Sequence, residues 1–379
     1  MDFSKVTGFL ESLKNVGVPG ADLAICIKGE EVYRHQVGYA DLDNHKPIVP
    51  DTLFAIWSMT KVITCVSALR LYEEGIFKLS DPLSDYLPEF KDMEVRHVRD
   101  NGEVHIEPAT NPIRIVDLFT MSSGLTYNRT ESVIELNEKT DENYSLKEFV
   151  SALAKDPLYF DPGTQWHYGF SHDVLGHLVE VLSGKSLGEY FDAFIFTPLE
   201  MVDTSFRLPK EKEERLAICY TYNEEEKIHK KPAPLGIRYD LDNKFESPGG
   251  GLISTVDDYA KFANALCAGG IGKGSYRLLG NATIELMRTN HFDKARMKNF
   301  GTLNPGNGYG YGLGVRTMIN KAVGGSNSSV GEYGWAGLMG TYVSIDPSLD
   351  LTYVYAHQLF PNKEDYVAHR LRNVIYGCL

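Results

Sequence analysis

The sequence predicts an α+β fold: a mainly antiparallel sheet, flanked by helices and built from both chain ends, with a mostly helical inserted region. Three observations carry this. Strand patterns occupy residues 21–37 and return from residue 309 onward, the segments between are dominated by helical periods, and no internal repeat is present. The expected division is a sheet region over 1–75 and 210–379, an insertion over 76–209, and a cleft between them that holds the site.

Taken in order, residues 1–20 place Val6, Phe9, Leu10 and Leu13 at helical spacing, which predicts an amphipathic helix packed on the body and not a signal peptide. Residues 21–28 (ADLAICIK) and 32–37 read as strands around a Gly29-Glu30-Glu31 turn. Residues 62–72 (VITCVSALRLY) are apolar enough for a buried helix. Helical periods follow at 83–90, 113–121, 145–155, 171–184 and 186–199, most with Ser, Asp or Pro at the start. Asn101-Gly102 between alternating apolar positions predicts a small exposed hairpin. The charged residues 224–227 and 229–231 read as an irregular surface excursion, and Ser247-Pro248-Gly249-Gly250-Gly251-Leu252 as a tight turn before a helix starting near Thr255. Strands at 309–317, 341–347 and 351–357 and a helix over 365–376 complete the chain.

Composition narrows the function classes. A formal net charge of −13 with no basic stripe argues against a nucleic-acid partner, and no run is long enough for a membrane helix. The five cysteines, Cys26, Cys65, Cys219, Cys267 and Cys378, are odd in number and widely spread, which predicts free thiols and a cytoplasmic setting. In such a setting the triplets Asn128-Arg129-Thr130 and Asn281-Ala282-Thr283 carry no glycosylation meaning. His167, His172 and His177 are five apart and do not share a helix face, so they predict no metal site. Gly274 separates Lys273 from Ser275 and breaks a phosphate-loop pattern at 269–275. Asp173 breaks a near match to a nucleophile elbow around Ser171.

Ser58-Met59-Thr60-Lys61 is the one S-x-x-K in the chain, and it stands where the apolar helix begins. Residues three apart share a helix face, so the Ser58 hydroxyl can meet the Lys61 amine. Serine needs a base to become a nucleophile, and lysine can be one if burial or positive potential lowers its pKa. The same four letters also describe a capping serine and a solvated lysine, but a lysine on a buried helix is costly without a partner. Tyr168 follows a Pro162-Gly163 turn and precedes a helix; near an ammonium its phenolate can act as a base. Trp335-Ala336-Gly337-Leu338 places small residues beside one tryptophan before a strand, where a ligand can approach backbone N–H groups.

In order and rough spacing, Ser58 to Lys61, Tyr168 and Trp335-Ala336-Gly337 resemble the three motifs of the serine β-lactamase and penicillin-binding protein superfamily. Supporting stretches at 81–90, 115–125, 177–206, 247–266 and 309–315 extend the resemblance over nearly the whole chain, most like the class C β-lactamase branch and the carboxylesterases of that fold. The resemblance implies a β-lactamase/transpeptidase-like fold and an acyl-enzyme serine hydrolase without a cofactor. It further implies Ser58 as nucleophile, Lys61 and Tyr168 sharing the proton work, the backbone N–H groups of Ser58 and Leu338 as oxyanion hole, and Phe170, Trp335, Ala336 and Gly337 against the substrate. Two departures matter. Phe170 stands where penicillin-recognising members carry asparagine, and Trp335-Ala336 stands where they carry a cation and a hydroxyl. Losing such groups should cost a β-lactam heavily, so the expected substrate is a small ester. The alternatives are a β-lactamase or D-amino-acid peptidase or amidase, and, in another class, a non-hydrolysing penicillin-binding or sensor domain. The oligomeric state is left open.

Overall fold

The computed structural model describes residues 1–99, 101–128, 130–231, 238–303 and 308–379. Its centre is an eight-stranded sheet in the order Tyr309–Tyr311, Arg316–Met318, Tyr333–Ala336, Tyr342–Asp346, Leu351–Ala356, Gly20–Ile27, Glu30–Asp41 and Lys46–Pro47. Every neighbouring pair is antiparallel. The first strand of the chain lies against the last long one, with Asp22 opposite Ala356 and Ile27 opposite Leu351, so one sheet closes the two chain ends together.

Strand side chains alternate between faces, and this sheet is covered on both. Leu23, Ile25, Tyr353 and Tyr355 meet Val6, Leu10 and Leu13 of the N-terminal helix (Ser4–Ser12 and the turn after it), and Val367, Leu371 and Ile375 of the closing helix Glu364–Tyr376. Ala24, Cys26, Val343, Ile345, Val354 and Ala356 face the larger core with Val62, Ile63, Val66 and Leu69 of helix Thr60–Glu73 and Phe262 of helix Val256–Cys267. Helix Thr60–Glu73 is buried from Thr60 to Leu69 without interruption, which is why its sequence shows no polar face. It packs against helix Ser171–Ser183, where the absent side chain of Gly176 leaves room for Pro248.

Local chemistry sets most boundaries. Ser145 and Ser186 each form a capping box, with Glu148 and Glu189 three residues on. Thr255 Oγ1 accepts from the Asp258 N–H at 3.1 Å. The first hairpin turns tighter than the sequence suggested: Lys28 and Gly29 both take positive φ (54° and 77°), and the second strand begins at Glu30. The hairpin of Glu94–Val98 and Val104–Pro108 is exposed as expected; Asp100, part of the sequence expected to form it, lies outside the described residues.

Three expectations are corrected, and one helix is added to those the sequence predicts. Residues 83–90 form two 3-10 turns, Leu83–Asp85 and Pro88–Phe90, because Pro82 and Pro88 interrupt a longer helix. The charged residues 224–227 are the turn of a hairpin between Tyr220–Asn223 and Ile228–Lys230 and not an irregular excursion; the Asn223 side chain accepts from the Glu225 and Glu226 N–H groups at 2.9 and 3.1 Å. Residues 309–317 are two short strands, folded back at Gly314, whose φ of 84° favours glycine. Helix Glu131–Thr140, with Val133 as its one buried residue, went unread. The triplet at Asn128 includes Arg129, which lies outside the described residues. All five cysteines are free, and no helix among the described residues is long and apolar enough to cross a membrane.

Candidate active site

The segment leading to Ser58 is pinned from three sides. Phe54–Ala55 pairs with Ile253–Ser254, the Ile56 N–H donates to Leu252 O at 3.0 Å, and Thr341 Oγ1 donates to Ile56 O at 3.0 Å. The chain then turns sharply. Trp57 has φ +47°, an unfavourable region for a bulky residue, and Ser58 sits in the 3-10 turn Trp57–Met59 just before the α-helix starts at Thr60. The nucleophile candidate is thus at the helix N-terminus and not inside the helix, where free N–H groups give positive potential.

Lys61, one turn on, is fully buried, and its Nζ donates to Ser58 Oγ at 3.2 Å and to the Gly249 carbonyl. The same ammonium lies 4.9 Å from the Tyr168 ring centroid and 5.6 Å from that of Tyr127. Burial pulls the amine down, but the tyrosine oxygens of Tyr127 and Tyr168 and the Asp173 carboxyl outweigh it, so Lys61 is held above its ordinary range. That direction is opposite to the lowering that a lysine base calls for.

Tyr168 is set by its backbone: the His167 N–H donates to Met121 O at 2.9 Å, and helix Ser171–Ser183 starts three residues later. Its hydroxyl accepts from the indole N–H of Trp335 at 3.1 Å, with ring centroids 5.6 Å apart. Trp335 therefore does more than the apolar wall expected of it. That donor fixes the direction of the Tyr168 oxygen. Phe170 packs edge-on against Tyr127 (4.8 Å) and Phe149 (5.1 Å).

Gly337 explains the third motif in a way the sequence did not. A side chain there would strike the Ile56 carbonyl and Thr341 Oγ1, so glycine lets this strand end dock on the segment that carries Ser58. Trp335 and Ala336 run past the neighbouring strand, which pairs with Tyr333 and Gly334 only. Among the described residues the Leu338 N–H has no protein acceptor, and its side chain is 42% exposed.

Two cavities meet here. Ser58, Tyr168 and Leu338 line both. One, of about 510 Å³, is walled by Tyr127, Tyr144, Phe149, Phe170 and Phe245. The other, of about 580 Å³, runs along Trp335, Ala336 and Gly337 towards the closing helix. The structure thus brings together all eight residues singled out in the sequence.

Two residues were missed. Tyr127 is 42% exposed as a residue, yet its hydroxyl is enclosed beside Lys61, where burial pushes it up and Lys61 pulls it down. Asp173 is buried, and desolvation pushes its carboxyl up to about 6 against the pull of Lys61. No spacing rule pointed to either: Tyr127 follows a stretch noted only for its general resemblance, and Asp173 was noted only for spoiling another motif. Ser171, the serine of that other motif, is buried and bonded to Ser123 Oγ at 2.8 Å. His172 and His177 are buried apart, His177 against Glu180 at 3.0 Å, and no group of three or more metal-binding side chains occurs among the described residues.

A family model described as Beta-lactamase matches residues 7–376. Protein Rv1367c of Mycobacterium tuberculosis is 30% identical over 334 residues, covering 86% of this chain and 82% of that protein. Esterase EstB of Burkholderia gladioli is 28% identical over 369 residues, covering 91% and 87%. Among solved structures, EstCE1, a hydrolase with promiscuous acyltransferase activity, superposes with a TM-score of 0.80 at 23% identity, covering 99% of this chain and 98% of that one. At that identity the likeness concerns the fold.

Proposed function

The chain belongs to the beta-lactamase family, whose esterase relatives support a hydrolase, and we propose that it is a serine carboxylesterase working through an acyl-enzyme on small esters. The observation that carries this reading is the meeting of two contacts, Lys61 Nζ to Ser58 Oγ at 3.2 Å and the Trp335 N–H to the Tyr168 hydroxyl at 3.1 Å, with the same Nζ 4.9 Å from the Tyr168 ring centroid.

In the proposed reaction the Tyr168 phenolate takes the Ser58 proton while Lys61, as an ammonium, holds both oxygens in place. Ser58 Oγ attacks the ester carbonyl, and the N–H groups of Ser58 and Leu338 receive the oxyanion. Collapse breaks the bond to the alcohol oxygen, which leaves with the proton from Tyr168. Water then repeats the steps on the acyl-enzyme and releases the acid. Tyr127 gives the ammonium a second oxygen partner.

The walls around Ser58 suit an ester better than a β-lactam. Phe170 offers no amide partner, and Trp335 places an indole where a carboxylate would need a cation or hydroxyl. The test compares kcat/KM for p-nitrophenyl butyrate and nitrocefin, with Ser58→Ala as the blank. The ester should be strongly preferred and its turnover should vanish in the blank. Efficient nitrocefin hydrolysis with little ester activity would overturn the reading, and one burst of p-nitrophenol without turnover would favour a non-hydrolysing acyl receptor.

A further inference from the structure

The Leu338 N–H is one half of a peptide group whose other half the proposed mechanism does not use. The Gly337–Leu338 peptide is trans, so its carbonyl and the Leu338 N–H point in opposite directions. Whatever holds Gly337 O therefore aims the Leu338 N–H. Two groups hold it: the Gly340 N–H donates at 3.0 Å, closing the turn, and Asn362 Nδ2 donates at 3.3 Å. The Asn362 amide is fixed in that sense, because its Oδ1 accepts from the Glu364 N–H at 2.9 Å and leaves the amide nitrogen for Gly337. Asn362 is half-buried and lines the wider cavity together with Ser58 and Leu338.

Asn362 is itself tied down from behind. His357 is buried, with Nε2 2.9 Å from the Asn362 carbonyl oxygen and Nδ1 2.7 Å from the Tyr355 hydroxyl. A carbonyl only accepts, so Nε2 carries the proton and Nδ1 accepts from Tyr355. Burial pulls the His357 pKa down to about 4, which keeps the ring in this neutral form. The same imidazole lies against Gly340, where any side chain would strike it, and Gly340 takes φ +100°. Beyond the ring the main chain pairs with the turn: the His357 N–H donates to Gly340 O at 3.4 Å and the Leu359 N–H to Met339 O at 3.0 Å.

We propose that Asn362 is a positioning residue for the oxyanion site: its carboxamide fixes the plane of the Gly337–Leu338 peptide, and His357 fixes Asn362 through its backbone carbonyl. A turn bounded by Gly337 and Gly340 offers little steric resistance to rotation of that peptide, so the direction of the donor depends on what grips its carbonyl. Asn362 supplies the one side-chain grip on Gly337 O among the described residues. A donor aimed at the oxyanion contributes most once charge has developed there, so the effect of Asn362 falls on kcat and not on KM.

The inference rests on the reading of Leu338 as an oxyanion donor beside Ser58, so turnover is paired with a measurement that needs none. Phenylboronic acid bonds Ser58 Oγ as a tetrahedral adduct, and its affinity is read from the rise in Tm, with Ser58→Ala as the blank. Asn362→Asp keeps the reach and the acceptor for the Glu364 N–H but has no donor; Asn362→Ser keeps an acceptor on a shorter stem. Both should lower kcat for p-nitrophenyl butyrate about 3- to 10-fold with KM nearly unchanged, the effect of one hydrogen bond, and both should weaken phenylboronic acid by a similar factor. His357→Gln, whose amide nitrogen can stand in for Nε2, should keep more of kcat than His357→Asn, whose amide reaches only as far as Nδ1. Should the His357 variants not fold, the Asn362 pair decides. Ester turnover with kcat and boronate affinity alike in the unaltered chain and both Asn362 variants would overturn the positioning role and leave the esterase reading intact, as would a change confined to KM. Absence of ester turnover would overturn the esterase reading, and a Ser58-dependent boronate shift that Asn362→Asp weakens would still uphold the role of Asn362. Absence of both turnover and boronate shift would overturn both.

Discussion

Replacing Trp335 by phenylalanine tests the proton device directly, because it keeps most of the ring and removes one N–H. That N–H lies 3.1 Å from the Tyr168 hydroxyl, a normal hydrogen-bond length. A hydrogen bond to a charged partner contributes about 1.5–3 kcal/mol. If the donor steadies the Tyr168 oxygen while the Ser58 proton moves, its loss raises the barrier by the same amount. At about 1.4 kcal/mol per factor of ten, the rate should fall about 10- to 100-fold, mainly in kcat. The assay is p-nitrophenyl butyrate hydrolysis by both proteins with kcat and KM resolved, and with Tm as the control for folding. Unchanged kcat, or a fall carried by KM alone, would mean that Trp335 only packs and that the 3.1 Å contact is incidental to catalysis.

Three further outcomes follow from other contacts. Lys61→Ala and Tyr168→Phe should each cripple acylation, and the double variant should lose far less than the sum, since groups acting as one unit are non-additive; strict additivity of the single-turnover rates would mean that one of them only packs. Gly337→Ala should lower both kcat and Tm, because the new side chain meets the Ile56 carbonyl and pushes the strand end, with the Leu338 N–H, away from Ser58; unchanged kcat would remove that strand end from the oxyanion site. His172 is buried, which pulls its pKa from 6.5 to about 3, so the unfolded chain binds the extra proton between those values and stability is lost as pH falls through that window. The contribution is about 2 kcal/mol at pH 5, and His172→Gln should lessen the pH 7 to pH 5 loss in urea titrations by that amount; an equal loss in both proteins would mean that folded His172 carries a proton.

How much of this was legible in the sequence depends on how local each signal is. Ser58 and Lys61 were readable because one helical turn fixes their distance, and the strands at both ends because alternation and apolar runs are local patterns. Helix Glu131–Thr140 was not, since one buried residue leaves almost no periodic trace. The fold-back at Gly314 was not, because its positive φ divides what reads as one continuous strand. Tyr127 and Asp173 reach the site from separate segments, and what marks them is an oxygen enclosed beside Lys61, a residue distant in sequence. Lys61 shows the limit from the other side: its position was legible, but the direction of its shift depends on oxygens brought in by folding.

The same contacts decide whether this site can be turned towards β-lactams by restoring the polar residues at the two departures. Motif logic alone says that Phe170→Asn with Trp335→Lys should weaken the ester and help the lactam. The structure supports the first half only. Phe170 is wedged between Tyr127 and Phe149 at 4.8 and 5.1 Å, so an asparagine there would leave a gap and a half-satisfied amide in an aromatic wall. Trp335→Lys would remove the donor to Tyr168 and place a second ammonium beside the ring that Lys61 already faces. Both effects act on the proton step that ester and lactam share. The expected result is that p-nitrophenyl butyrate hydrolysis falls by about 100-fold or more, from loss of a charge-assisted bond plus repacking, while nitrocefin hydrolysis does not rise. The ratio between the substrates then narrows through loss alone. A clear gain in nitrocefin kcat/KM in the double variant would show that the two motif positions act on substrate recognition independently of Tyr168, and that the indole hydrogen bond is dispensable to the chemistry.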